Sequence, residues 1–149
     1  MVSRRQGFTL MESMISLAIM SLMLLCTLPT CSYLLDSLYL NQTLSTFRAD
    51  LTLVRLQNMT ESRTPWTVRL DKSETHYAIT PVIGSQHQIF IRHLPNGMNF
   101  EINHKQRDIH FTSAGTAKHP NTYPITSRYT TKDVVISIGT GGVTIRDHK

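Results

Sequence analysis

The alternation of apolar and polar positions follows three rules along this chain. A short polar and basic stretch ends at Gly7, and Phe8 to Leu28 then reads FTLMESMISLAIMSLMLLCTL, with 15 of its 21 residues apolar. A run of that length suits a helix crossing a hydrocarbon core of about 30 Å. From Leu40 the apolar residues Leu40, Leu44, Phe47, Leu51 and Val54 follow at steps of 4, 3, 4 and 3, which is one face of an amphipathic helix. The two patterns join most economically as one helix from Phe8 to about Met59, roughly 78 Å long at about 1.5 Å per residue. Its first half is bare and its second half packs on a domain. Glu61 to Pro65 ends it, because proline disfavours helix in the residue before it.

Beyond Pro65 the period shortens to two. WTVRL (Trp66 to Leu70), HYAITPV (His76 to Val82), QIFIRHL (Gln88 to Leu94) and MNFEI (Met98 to Ile102) read as strands, with Pro95, Asn96 and Gly97 forming a turn between the last two. IHFT (Ile109 to Thr112) precedes a bend at Ser113 to Gly115, and DVVISI and VTIRD flank the glycines of Gly139 to Gly142, where a hairpin needs positive φ. The sum is an α+β lollipop, one long N-terminal helix packed by its outer half on a mainly antiparallel sheet of six or seven strands. The organisation is 1–7 leader, 8–28 membrane half of the helix, 29–62 amphipathic half, and 65–149 β-rich domain outside the cytoplasm.

Composition narrows the classes. With 149 residues, 40% hydrophobic and 17% charged, the chain is neither a large multidomain enzyme nor disordered. Cys26 and Cys31 lie five residues apart, too far along a helix for a disulfide, and read as free thiols. The net charge, 15 − 10 = +5, is carried by basic residues spread singly after residue 30, so charge alone does not make a nucleic-acid binder. Arg4 and Arg5, ahead of the apolar run, place the leader in the cytoplasm and the rest of the chain outside.

A secretory signal peptide explains the start poorly. Its apolar stretch is about 7 to 15 residues and ends at a small-residue site, and Leu28, Pro29 and Thr30 offer none. Leu25 and Thr30 before the cysteines do not suit a lipoprotein site either. An ordinary signal anchor leaves Glu12 unexplained, since a carboxylate near a membrane helix centre costs about 2.5 to 3.5 kcal/mol and usually has a partner. At its place near the cytoplasmic interface Glu12 costs less. If the chain is cut after Gly7, the new amino group of Phe8 is a cation in the same layer. Glu12 of a neighbouring subunit can then pair with it and set axial register.

Gly7, Phe8, Thr9, Leu10, Met11 and Glu12 behind a basic leader resemble the type III signal of type IV pilins and pseudopilins. The resemblance implies a prepilin peptidase that cuts between Gly7 and Phe8 and methylates Phe8, filament assembly guided by Glu12, and a helix kink at Pro29. By itself, proline removes a backbone donor and bends or locally melts a helix. IHFTSAG, TYPITSRY and DVVISIGTGGVTIRD are similar to the β region of H-type and FimT-like minor pseudopilins and of the ComGD-like group of the Gram-positive competence pilus. The implied protein is a non-enzymatic minor pseudopilin without cofactors, a subunit of a filament for DNA uptake in competence. Its implied partners are other major and minor pseudopilins, the prepilin peptidase, the membrane assembly platform protein and the cytoplasmic membrane. A type II secretion system or type IV pilus is the alternative, and an unpolymerised membrane-anchored surface or DNA-binding receptor, with DNA as a direct partner, is the third reading. The implied location is the cell membrane, single-pass, with the outer domain at the cell surface or in the pilus.

Other chemistry is thin. His87/His93 and His104/His110 are each six apart on extended chain, about 20 Å, too far to share a metal ion, so they read as surface histidines. Thr140 to Gly142 lacks the lysine and helix of a phosphate loop and reads as a turn. Asn41 and Asn58 match a glycosylation acceptor but fall on the predicted helix. Tyr123, Arg128, Tyr129 and Lys132 form the one local mixture of aromatics and cations, the composition of a strand-binding surface, and an exposed strand with solubilising charges explains them equally well.

Overall fold

A computed structural model describes residues 9–60, 64–81, 90–102 and 107–148. One helix, α1, runs from Leu10 to Thr60, 51 residues, with its backbone helical throughout, Pro29 included. The chain divides into two compact units, Met1–Leu35 and Asp36–Lys149.

In the first unit every side chain described is exposed, from Thr9 to Cys26 and from Thr30 to Leu35. An 18-residue stretch there has a mean hydropathy of 2.0 and none of it is buried, long and apolar enough to cross a membrane.

The second unit builds its core on the anticipated stripe. Leu40, Leu44, Phe47, Leu51 and Val54 are all buried, each worth about 1.5–3 kcal/mol of transfer free energy. The strands are β1 (Trp66–Leu70), β2 (His76–Pro81), β3 (Phe90–His93), β4 (Asn99–Phe100), β5 (Asp108–His110), β6 (Thr122–Thr126), β7 (Thr131–Ile136) and β8 (Val143–Asp147). They form two four-stranded antiparallel sheets, β3-β2-β1-β5 and β4-β6-β7-β8, where the sequence suggests one sheet. The chain changes sheet at Pro95 to Gly97, whose turn forms with Met98 N donating to Pro95 O at 3.1 Å and Gly97 at φ 88°. Phe47 joins the layers, its ring 4.9 Å from Tyr77 of one sheet and 5.3 Å from Phe100 of the other.

β6 is the strand that periodicity hides, because Pro124 sits in its middle. Pro124 O accepts from Glu101 N at 2.9 Å, and proline has no N–H to return the bond. That gap falls beside the end of the two-residue β4, where little ladder is lost. Tyr123 and Ile125 on either side are buried in the core. The last hairpin forms as anticipated, closed by Ser137 N donating to Gly142 O at 2.9 Å with Gly139 and Gly141 at positive φ.

Candidate functional site

The first turn of α1 is capped from within. Glu12 N donates to Thr9 O at 3.0 Å and lies 3.4 Å from Thr9 Oγ1, so Thr9 stands at the N-cap and Glu12 at the third helical position, the spacing of a capping box. The hydroxyls nearby turn inward to the backbone, Ser13 Oγ to Thr9 O at 3.1 Å and Ser16 Oγ to Glu12 O at 2.8 Å. Glu12 is thus the only charged side chain from Leu10 to Leu35, exposed beside Leu10 and Met11. A carboxylate in this turn complements the helix dipole. Gly7 and Phe8, the expected cleavage and methylation positions, lie outside the described residues, as does the expected leader 1–7.

In the outer domain the polar side chains serve the fold. Asp50 is buried on the apolar face of α1, where Tyr77 Oη donates to its Oδ2 at 2.6 Å and Arg92 Nε at 2.7 Å. Burial, then the Asp50 carboxylate, push the Tyr77 hydroxyl well above its ordinary value of 10.0. Asn58, one turn after Val54, is buried and donates through Nδ2 to Trp66 O and Phe111 O, while Trp66 N donates to its Oδ1 at 2.6 Å. That use of both ends of the amide leaves no room for a glycan. Positions 47, 50, 51, 54 and 58 share one helix face, and polar residues on an apolar stripe were the available signal for both.

The cluster read as a strand-binding surface does not come together. Tyr123 is 2% exposed, and burial pushes its hydroxyl up to about 12. Lys132 Nζ lies 3.7 Å from Asp147 and 3.3 Å from Asn41 Oδ1. Only Arg128 and Tyr129 of the four stand exposed, so a row of stacking platforms is absent there. The reason is the strand period, which turns Tyr123 inward and groups the others at a turn.

His87 and His104 lie outside the described residues. His93 instead faces His76 across β2 and β3, ring centroids 5.1 Å apart, a neighbour that sequence spacing does not reveal. Among the described residues no three of His, Cys, Asp and Glu gather as a metal site. Cys26 and Cys31 are free and exposed.

The prokaryotic N-terminal methylation motif matches residues 2–25, the basic stretch and most of the apolar run that follows it. No curated protein matches the chain. Among solved structures the chain is similar to the type IV minor pilin FimU of Pseudomonas aeruginosa strain PAO1, at 16% identity and a TM-score of 0.56 over 71% of this chain and 91% of that one. A second crystal form of FimU gives 15% identity, a TM-score of 0.56, and coverage of 73% and 87%. The minor pseudopilin EpsH from the type 2 secretion system of Vibrio cholerae gives 14%, 0.54, 72% and 95%. The fold is that of a type IV pilin. Within it the methylation motif lies at the start of the long helix, and Glu12 is the charged residue of that motif's apolar portion.

Proposed function

We propose that this chain is a minor pseudopilin, a structural and non-enzymatic subunit of a type IV pilus-like filament. It is held in the membrane until a prepilin peptidase cuts between Gly7 and Phe8 and methylates Phe8. The observation that carries the reading is a methylation motif at residues 2–25 on a pilin fold. In the filament Glu12 pairs with the Phe8 amine of a neighbour, and Pro29 lets the helix bend as subunits pack. The other pseudopilins and the membrane assembly platform protein are its partners. Expression with and without a prepilin peptidase tests this directly, with intact mass as readout. Loss of residues 1 to 7 and a methylated Phe8 is the expected result; an uncut chain overturns the reading. Glu12→Ala should leave membrane insertion intact and reduce assembly several-fold, and normal assembly of that variant removes Glu12 from the docking step.

For the system served, we infer a competence filament for DNA uptake from the likeness of the C-terminal segments to competence pseudopilins. Type II secretion or a type IV pilus is the second reading, favoured by the structural likeness to EpsH and FimU. Deletion followed by parallel transformation, secretion and piliation assays separates the three by which one fails.

A further inference from the structure

Three polar side chains stand in a row across one end of the first sheet. The β1–β2 pairing runs on past Leu70 to Asp71, whose N donates to His76 O at 3.1 Å, and on the other side of β2 His76 is in register with His93 of β3. Residues opposite one another in a sheet project from the same face, so Asp71, His76 and His93 share one. Leu94 N donates to Thr75 O at 2.8 Å, and the alternation of an antiparallel ladder then makes His76 and His93 a pair without mutual backbone bonds, the kind that brings side chains closest.

The two rings lie with centroids 5.1 Å apart and planes at 40°. Two imidazoles held by one tetrahedral ion, with Zn–N bonds of about 2.0–2.1 Å, have centroids about 5.2 Å apart. The fold thus already sets the spacing of a chelating pair. His93 is exposed and His76 partly so, which leaves both open to an ion from solution. His76 Nδ1 lies 3.3 Å from Ser73 Oγ and its Nε2 lies 3.8 Å from Asp71 Oδ2. That arrangement suits an Nδ1 proton donated to the serine and an Nε2 lone pair left for a ligand, the way a metal-binding histidine is usually oriented.

We propose that His76 and His93 form a two-histidine site for a divalent late transition ion, Zn²⁺ foremost, with water on its remaining positions and Asp71 as a neighbouring negative charge. Imidazole suits Zn²⁺, Cu²⁺ and Ni²⁺, whereas Ca²⁺ and Mg²⁺ take oxygen ligands. β3 is the edge of its sheet, in the order β3-β2-β1-β5, and an ion on both rings clips that edge to β2. Binding stabilises the outer domain, because the unfolded chain does not hold the two rings together. The site lies wholly in the outer domain and does not depend on which filament the chain serves.

The test uses the full chain in detergent, made without a polyhistidine tag and freed of metal with a chelator that is then dialysed away. Zn²⁺ is titrated by calorimetry at about pH 7.5, where free imidazole is neutral. His76→Ala and His93→Ala should each weaken zinc binding at least tenfold and remove the zinc-dependent rise in melting temperature. His119→Asn, at an exposed position between β5 and β6, should change neither. Zinc binding that both alanine variants retain overturns the site, as does a native chain that takes up no zinc. A measurement on the native chain needs no variant to fold. Zinc should lower diethyl pyrocarbonate modification of His76 and His93 several-fold, read by mass spectrometry, and leave His119 as reactive as before; unchanged modification of the pair overturns the proposal. Excess Ca²⁺ or Mg²⁺ should not displace the zinc, and displacement overturns the assignment to a transition ion.

Discussion

Leu10 to Leu35 and Asp36 to Thr60 are one helix by backbone hydrogen bonding and two regions by environment. In the first, Leu, Met and Ile cover the whole circumference and every side chain described is exposed. In the second, apolar residues keep to a stripe and the stripe is buried under two sheets. The contrast shows that α-helical structure and a chain's own core are separate matters. A helix apolar all round has to be covered by lipid or by other subunits, whereas an amphipathic one is covered by its own domain.

The largest test of that contrast is Phe47→Ala against Leu22→Ala. Phe47 packs on both Tyr77 and Phe100, and its truncation should lower unfolding free energy by about 3–5 kcal/mol. Leu22, 69% exposed, should change it by less than about 0.5 kcal/mol. Denaturant unfolding of the full chain in detergent, followed by the tryptophan, measures both. Equal effects would mean that the first half has a core of its own.

Next in size is Asn58→Ala, which strands Trp66 N–H and two carbonyls and should lower unfolding free energy by about 1–3 kcal/mol in the same assay. Ser16→Ala removes only a bond to the helix's own Glu12 O and should be silent.

The boundary itself is sharpened by Asp36→Ala. It releases Ser127 and should cost the outer domain about 1 kcal/mol, whereas Leu34→Ala two residues earlier should leave the melting temperature unchanged.

The smallest effect is that of pH on the outer domain. Burial holds the His110 imidazole below its ordinary 6.5; Asp108 opposes this, and the positive charges of Lys118, His119 and Arg69 reinforce it. The folded state therefore binds fewer protons than the unfolded state below pH 6.5. Stability should fall as pH drops through that value and level off below the folded pKa. His110→Asn should make the decline shallower in a melting series taken downward from neutral pH. Glu12→Ala, in the other region, should leave the series unchanged.

The two halves also differ in how much of them the sequence discloses. The Leu40-to-Val54 stripe, the Pro95–Gly97 turn and the glycine hairpin could be anticipated because each rests on a local rule of period or dihedral angle. β6 could not, because Pro124 argues against a strand unless its missing donor is known to face the end of a short neighbour. Of the two readings open for Tyr123, Arg128, Tyr129 and Lys132, neither could be chosen from sequence, because adjacency along the chain does not say which side of a strand faces the core. The pairing of His76 with His93, and the bonds of Asp50 and Asn58, join residues distant along the chain.

Residue order is enough to specify the long helix, its division into an all-apolar and a striped half, the β-rich character of the remainder and the placement of Glu12 in an apolar first turn. Those properties follow from side-chain type and spacing within a few residues, which fix periodicity, caps and turns. Tertiary structure alone decided that the strands divide into two sheets, that Asp50 and Asn58 are buried and bonded, and that Arg128 and Tyr129 stand at a turn anchored to Asp36. Each of those depends on contacts between residues far apart in the chain, whose free energy is gained only when the core assembles.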